Sequence, residues 1–86
     1  MGSYSIDFAR SARKELMKLQ PAMAERVDAA ILKLADDPHP PGSLKLAGDE
    51  SAYRIRVGDY RIIYEIRNEV LVVMIVKIGH RKDIYR

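Results

Sequence analysis

Residues 53–64 read Tyr53-Arg54-Ile55-Arg56-Val57-Gly58-Asp59-Tyr60-Arg61-Ile62-Ile63-Tyr64. Apolar side chains alternate with arginines up to Val57, and the alternation resumes at Tyr60. A period of two belongs to half-buried strands. Gly58-Asp59 separates the two runs, and glycine at the first position of a two-residue loop fits a type II′ hairpin turn. That turn sets a register in which Val57 pairs with Tyr60, Arg56 with Arg61, Ile55 with Ile62 and Arg54 with Ile63. Because side chains alternate faces, Tyr53, Ile55, Val57, Tyr60, Ile62 and Tyr64 form one face, which suits packing under helices. Arg54, Arg56 and Arg61 share the other, with Arg56 directly opposite Arg61.

The rest of the chain is read outward from this hairpin. Downstream, Asn68-Glu69 marks a second turn, and residues 70–78 are apolar on both faces apart from Lys77, the pattern of a central strand. Upstream, residues 36–52 carry three prolines and two glycines. They predict a long connection with little regular structure, clipped onto the core by Leu44 and Leu46. Before it, Met23, Val27, Ala30, Ile31 and Leu34 recur at helical spacing, as do Ala12, Leu16 and Leu19. Gln20-Pro21 divides the two helices, since proline suits a first turn and disfavours continuing the previous helix. Tyr4, Ile6 and Phe8 alternate with Ser5 and Asp7 as a first strand. The predicted fold class is α+β. An N-terminal strand and a helix hairpin pack on one face of a small, mainly antiparallel sheet, in the order β-α-α-β-β-β, within a single domain over residues 1–86.

Composition bounds the function. A chain of 86 residues has one core and buries about 60–65% of its unfolded surface. The absence of cysteine excludes a disulfide framework, a thiolate zinc site and a cysteine nucleophile. No acidic cluster resembles a magnesium site, and two histidines leave little for zinc. The longest apolar run, residues 70–76, is far shorter than the roughly 18–20 residues of a membrane span. No signal-peptide pattern opens the chain, so the expected compartment is the cytoplasm, with no membrane partner. Charge is uneven. Residues 1–52 hold 7 basic and 8 acidic side chains, and residues 53–86 hold 8 basic and 4 acidic ones. The positive half predicts a polyanionic or acidic protein partner.

Like charges directly opposite on a sheet cost some tenths of a kcal/mol. An anion held between Arg56 and Arg61 reverses that sign, and the planar guanidinium fork suits phosphate. The competing reading is a solvated face on which basic residues blunt aggregation. The tail from Gly79 adds Arg81, Lys82 and Arg86. Its His80 is able to exchange a proton near neutral pH, or is a plain surface histidine. Tyr85 is placed to stack on a base or to cover the sheet edge. Glu65 is the carboxylate aimed at the arginine face, as a general base or as the ion-pair partner of a neighbouring arginine. Such a set fits metal-free RNA cleavage. RNA carries its own nucleophile, the 2′-hydroxyl, and needs a proton acceptor, cations for the phosphate and an acid for the leaving oxygen.

The strings Leu44-Lys45-Leu46-Ala47-Gly48, residues 53–64 and Gly79-His80-Arg81-Lys82-Asp83-Ile84-Tyr85 closely resemble the RelE/ParE superfamily of toxin–antitoxin systems, on the RelE side. The resemblance covers nearly the whole chain. It implies a cofactor-free, ribosome-dependent endoribonuclease that cuts mRNA in the A site and leaves a 2′,3′-cyclic phosphate. It also implies a RelB-like antitoxin that covers the basic face and carries the complex to operator DNA. Matched by position, Arg54 and Arg56 are the basic residues of the first hairpin strand. Arg61 is the phosphate-binding arginine, Arg81 the tail arginine and Tyr85 the stacking tyrosine. Arg56 stands with Arg61, Arg81 and Tyr85 in the catalytic set, and Lys82 is a further phosphate contact. Lysines often occupy the two hairpin positions in this family. Guanidinium pKa values lie above about 12, so Arg54 and Arg56 are poor proton acceptors, and His80 is the substitute candidate. The alternative within the superfamily is a ParE-like toxin, which inhibits DNA gyrase and cleaves nothing.

Overall fold

The computed structural model describes residues 3–48 and 50–82. Strand β1 (Ser5–Phe8) leads into helices α1 (Arg10–Lys18) and α2 (Pro21–Lys33). Four strands follow: β2 (Leu44–Lys45), β3 (Ala52–Val57), β4 (Tyr60–Arg67) and β5 (Val72–His80). They form one five-stranded sheet in the order β1-β5-β4-β3-β2. β1 runs parallel to β5, and the other pairings are antiparallel. β5 is an interior strand between β1 and β4, as its two apolar faces predict.

The β3–β4 register matches the sequence reading pair for pair, from Tyr53 opposite Tyr64 to Val57 opposite Tyr60. Gly58 has φ +58, and the neighbouring Asp59 has no positive φ. A type II′ turn needs a left-handed first residue only. One face of the sheet supplies Ile55, Val57, Ile62, Tyr64, Ile66, Val73, Ile75 and Ile78 to the core. The helices and the residue after α2 supply Ala12, Val27, Ile31 and Leu34. α1 lies over β5 and α2 over β3, so two short helices cover one face. Pro21 stands in the first turn of α2, where its missing N–H costs nothing.

Three sequence expectations need correction. Leu44 does not clip the long connection to the core. It is 52% exposed and belongs to β2, which attaches to the outer edge of β3 through the backbone. The second turn spans residues 68–71, so β5 begins at Val72 instead of residue 70. Its last turn residue, Leu71, has φ +53. β5 also runs on to His80, because Gly79 and His80 continue the ladder opposite Arg61 and Tyr60. The tail therefore starts at Arg81.

Candidate nucleic-acid interface

The face of the sheet turned away from the helices is basic. Register places Arg54, Arg56 and Ile63 there, with Arg61 between Arg56 on β3 and Gly79 on β5. An irregularity in the β4–β5 ladder lies beside Ile63 and Tyr64. It shifts the alternation of β5 by one residue and turns Lys77 to this face, opposite Ile63. Lys77 is the functional candidate that sequence reading missed. Its only signal is a lone cation in an otherwise apolar strand.

Burial within the cluster is unequal. Arg56 is exposed and Arg54 half-buried. Arg61 is only 9% exposed. Its Nε and Nη1 are buried and have no hydrogen-bond partner among the described residues. A buried cation normally has a partner, because losing water costs several kcal/mol. Two of the three Arg61 guanidinium nitrogens are thus cut off from water without a hydrogen-bond acceptor among the described residues. That arrangement favours an anion with oxygen acceptors. Arg56 also lines a hollow between α2 and β3 with Arg26 and Lys33, so positive charge continues around the sheet edge.

The carboxylates near this face are engaged. Glu65 Oε1 accepts from Arg67 Nη2 at 3.0 Å, which is the ion-pair role. Asp7 Oδ1 accepts the Phe8 backbone N–H at 2.9 Å. At the end of the hairpin, the Arg81 N–H donates to the Asp59 carbonyl at 2.8 Å, and Arg81 Nε lies 4.0 Å from Asp59 Oδ1. Arg81 and Lys82 are exposed.

Of the remaining sequence candidates, His80 does not join the arginines. It stands opposite Tyr60, on the side of the sheet that carries the helices, and the two rings meet edge to face at 5.5 Å. Tyr85 lies outside the described residues. Among those residues no cluster of histidine and acidic side chains has metal-binding geometry, and no helix is long and apolar enough to cross a membrane.

The sheet, the two covering helices and the basic outer face have relatives. A family described as the ParE toxin of type II toxin–antitoxin systems, parDE, matches residues 6–85. Toxin RelG of Mycobacterium tuberculosis is 39% identical over 87 residues, covering 96% of this chain and 97% of that protein. The mRNA interferase toxin RelE of Escherichia coli is 28% identical over 82 residues, covering 93% of this chain and 85% of that protein. A chain of the archaeal RelE–RelB complex from Pyrococcus horikoshii superposes with a TM-score of 0.83 at 29% identity, covering 94% of this chain and 98% of that one. In sequence and in fold, this chain belongs to the RelE/ParE superfamily of toxins from type II toxin–antitoxin systems.

Proposed function

We propose that this chain is the toxin of a toxin–antitoxin pair and acts as a RelE-type mRNA interferase. The observation that carries this reading is Arg61, buried beside Arg56 and Arg54 with its Nε and Nη1 lacking a hydrogen-bond partner among the described residues. A fold gains nothing from leaving those nitrogens unpaired, and a phosphate oxygen in the cluster supplies the acceptor they lack. The names of the relatives favour the same side of the superfamily, since RelG and the mRNA interferase RelE are RelE toxins. They weigh against the gyrase-binding alternative.

In this mechanism the 2′-hydroxyl gives up its proton and attacks the scissile phosphate. The bond to the 5′-oxygen of the next nucleotide breaks, that oxygen takes up a proton and leaves as a 5′-hydroxyl, and a 2′,3′-cyclic phosphate remains. The arginines stabilise the extra negative charge that builds on the phosphate between these events. Arg61 holds the phosphate, Arg54, Arg56 and Lys82 guide the backbone, and Arg81 approaches from the hairpin end. Tyr85 is assigned to stacking on a base. Near the face, Glu65 accepts from Arg67 and Asp7 from the Phe8 N–H, and neither is assigned as the proton acceptor. Dependence on the ribosome, which holds the codon and adds its own groups, is the natural consequence. The partner is a RelB-like antitoxin, as in the RelE–RelB complexes whose toxins share this fold. Its acidic side chains complement the same surface, and operator DNA is reached through the antitoxin.

The test is primer extension on an mRNA under translation, with a control lacking ribosomes. Cuts inside A-site codons that appear only with ribosomes are the expected result. Intact mRNA at a dose that still arrests growth overturns the reading and turns attention to gyrase.

A further inference from the structure

We propose that His80 is a positioning residue for Arg81 and does not act as a base. This inference rests on the assignment of Arg81 to the RNA-binding set. The imidazole Nδ1 accepts the Lys82 backbone N–H at 3.2 Å. Accepting an N–H requires a lone pair on Nδ1, so the neutral ring carries its proton on Nε2. The contact runs from residue i to the N–H of i+2, the geometry by which asparagine and aspartate side chains stabilise turns. It closes a turn around Arg81, just where the chain leaves β5.

Three contacts make that turn rigid. The His80 ring is held edge to face by Tyr60, with an interplanar angle of 78°. The Arg81 amide is held by the Asp59 carbonyl. The Lys82 amide is held by His80 itself. Arg81 is therefore presented at a fixed corner beside the β3–β4 turn. A general base needs an open lone pair aimed at the 2′-hydroxyl. Here the lone pair is in use, and register puts the ring on the opposite side of the sheet from Arg56 and Arg61.

The bond exists only in the neutral ring. Protonation places a hydrogen on Nδ1, facing the Lys82 N–H, and unties the turn. Tyr60 of β4 packs on the ring, Ser11 and Glu15 of α1 line a hollow with it, and Lys77 of β5, whose register position is on the other face, reaches the rim of the same hollow. Asp59 lies beyond Arg81. In this reading acid weakens activity by releasing the Arg81 corner.

The experiment compares His80→Asn, His80→Gln and His80→Ala in ribosome-dependent cleavage across pH, beside the unmodified protein. It adds long-range ¹⁵N–¹H NMR of the imidazole in the unmodified protein at alkaline pH. Asparagine places an oxygen where Nδ1 stands, and glutamine places it where Nε2 stands. The expected result is an Nε2–H tautomer and near-normal cleavage by His80→Asn, with its acid limb flattened. His80→Gln and His80→Ala should lose about tenfold, the scale of one lost turn hydrogen bond. An Nδ1–H tautomer overturns the proposal. So does His80→Asn cleavage as low as that of His80→Ala, with both down about a hundredfold or more, the mark of a lost base. Undiminished cleavage by all three variants overturns it too. If the unmodified protein cuts no mRNA, the functional reading fails, and the tautomer alone decides whether His80 ties the turn.

Discussion

Arg56 and Arg61 stand directly opposite each other across the β3–β4 ladder, one exposed to solvent and the other buried. Their repulsion is a local cost that the isolated toxin carries and a bound anion removes. Replacing the exposed member with a carboxylate should remove it as well. Arg56→Glu is expected to raise stability by about 0.5–1 kcal/mol in low salt, read by urea unfolding. The gain should shrink in high salt as the pair is screened. Cleavage should fall in the same variant, because the carboxylate occupies the place of the phosphate. A variant less stable than the parent in low salt would mean the two arginines do not repel.

Arg61 couples function and stability with opposite signs. Arg61→Met keeps much of the side-chain length and removes the unpaired charge. It is expected to stabilise the fold by about 1–3 kcal/mol and to lower mRNA cleavage at least a hundredfold, the scale of a lost anion-stabilising group. Inorganic sulfate should raise the unfolding temperature of the parent, since it binds only the folded state. It should do so much less in Arg61→Met. Destabilisation by this substitution would show that the guanidinium has a stabilising partner.

Tyr64 gives a pH dependence with a defined sign. Its ring is fully buried, and its hydroxyl donates to the Pro38 carbonyl at 2.7 Å, tying the long connection to the core. Burial pushes the hydroxyl up to about 12 from its ordinary 10.0, outweighing the lowering effect of Ser43, with Tyr53 and Asp37 adding to the rise. The folded state therefore keeps the proton after the unfolded chain has lost it. The contribution is fully present below pH 10 and is lost as pH rises through about 12, an amount of roughly 2–3 kcal/mol at one unit per 1.36 kcal/mol. Unfolding followed from pH 9 to pH 12 should show this fall, and Tyr64→Phe should flatten it. Tyr64→Phe should also lose about 1–2 kcal/mol at neutral pH, because the buried Pro38 carbonyl loses its donor. An unchanged alkaline slope in the variant would remove Tyr64 as its source.

Leu71 closes the β4–β5 turn with φ +53. Leucine pays about 1 kcal/mol for that left-handed conformation, and its exposed side chain recovers little by packing. Leu71→Asn is expected to stabilise the fold by about 0.5–1 kcal/mol, since asparagine adopts this region readily. Thermal unfolding reads the change, and cleavage should be unaffected because the turn lies at the far end of β5 from Arg81. A drop in unfolding temperature would show that Leu71 packs more than its exposure indicates.

Much of this architecture is legible in residues 53–64, because a two-residue turn and a period of two leave one register that buries the apolar set. The facing of Arg56 and Arg61 follows from the same alternation. Lys77 was not legible, because the irregularity in the β4–β5 ladder shifts its face, and nothing in a nearly continuous apolar run marks such a shift. Leu44 misled for a related reason. An apolar residue in a long connection looks like an anchor, yet its strand attaches through backbone hydrogen bonds, to which side-chain patterning is blind.

The order of the elements apart from β2, the hairpin register and the basic outer face are properties of the sequence by itself, since all three depend on local periodicity and turn chemistry. Tertiary structure decided which of these charges lost their water and which lone pairs remained free. Arg61 and Arg56 are the same residue type in mirrored positions, and only packing leaves one of them buried without a partner. His80 and Arg81 are neighbours in the chain, and only the last step of β5 sends the imidazole to the helix side and the arginine to the corner beyond the sheet. Solvation and direction depend on what surrounds a side chain in three dimensions, and the local pattern of a sequence carries neither.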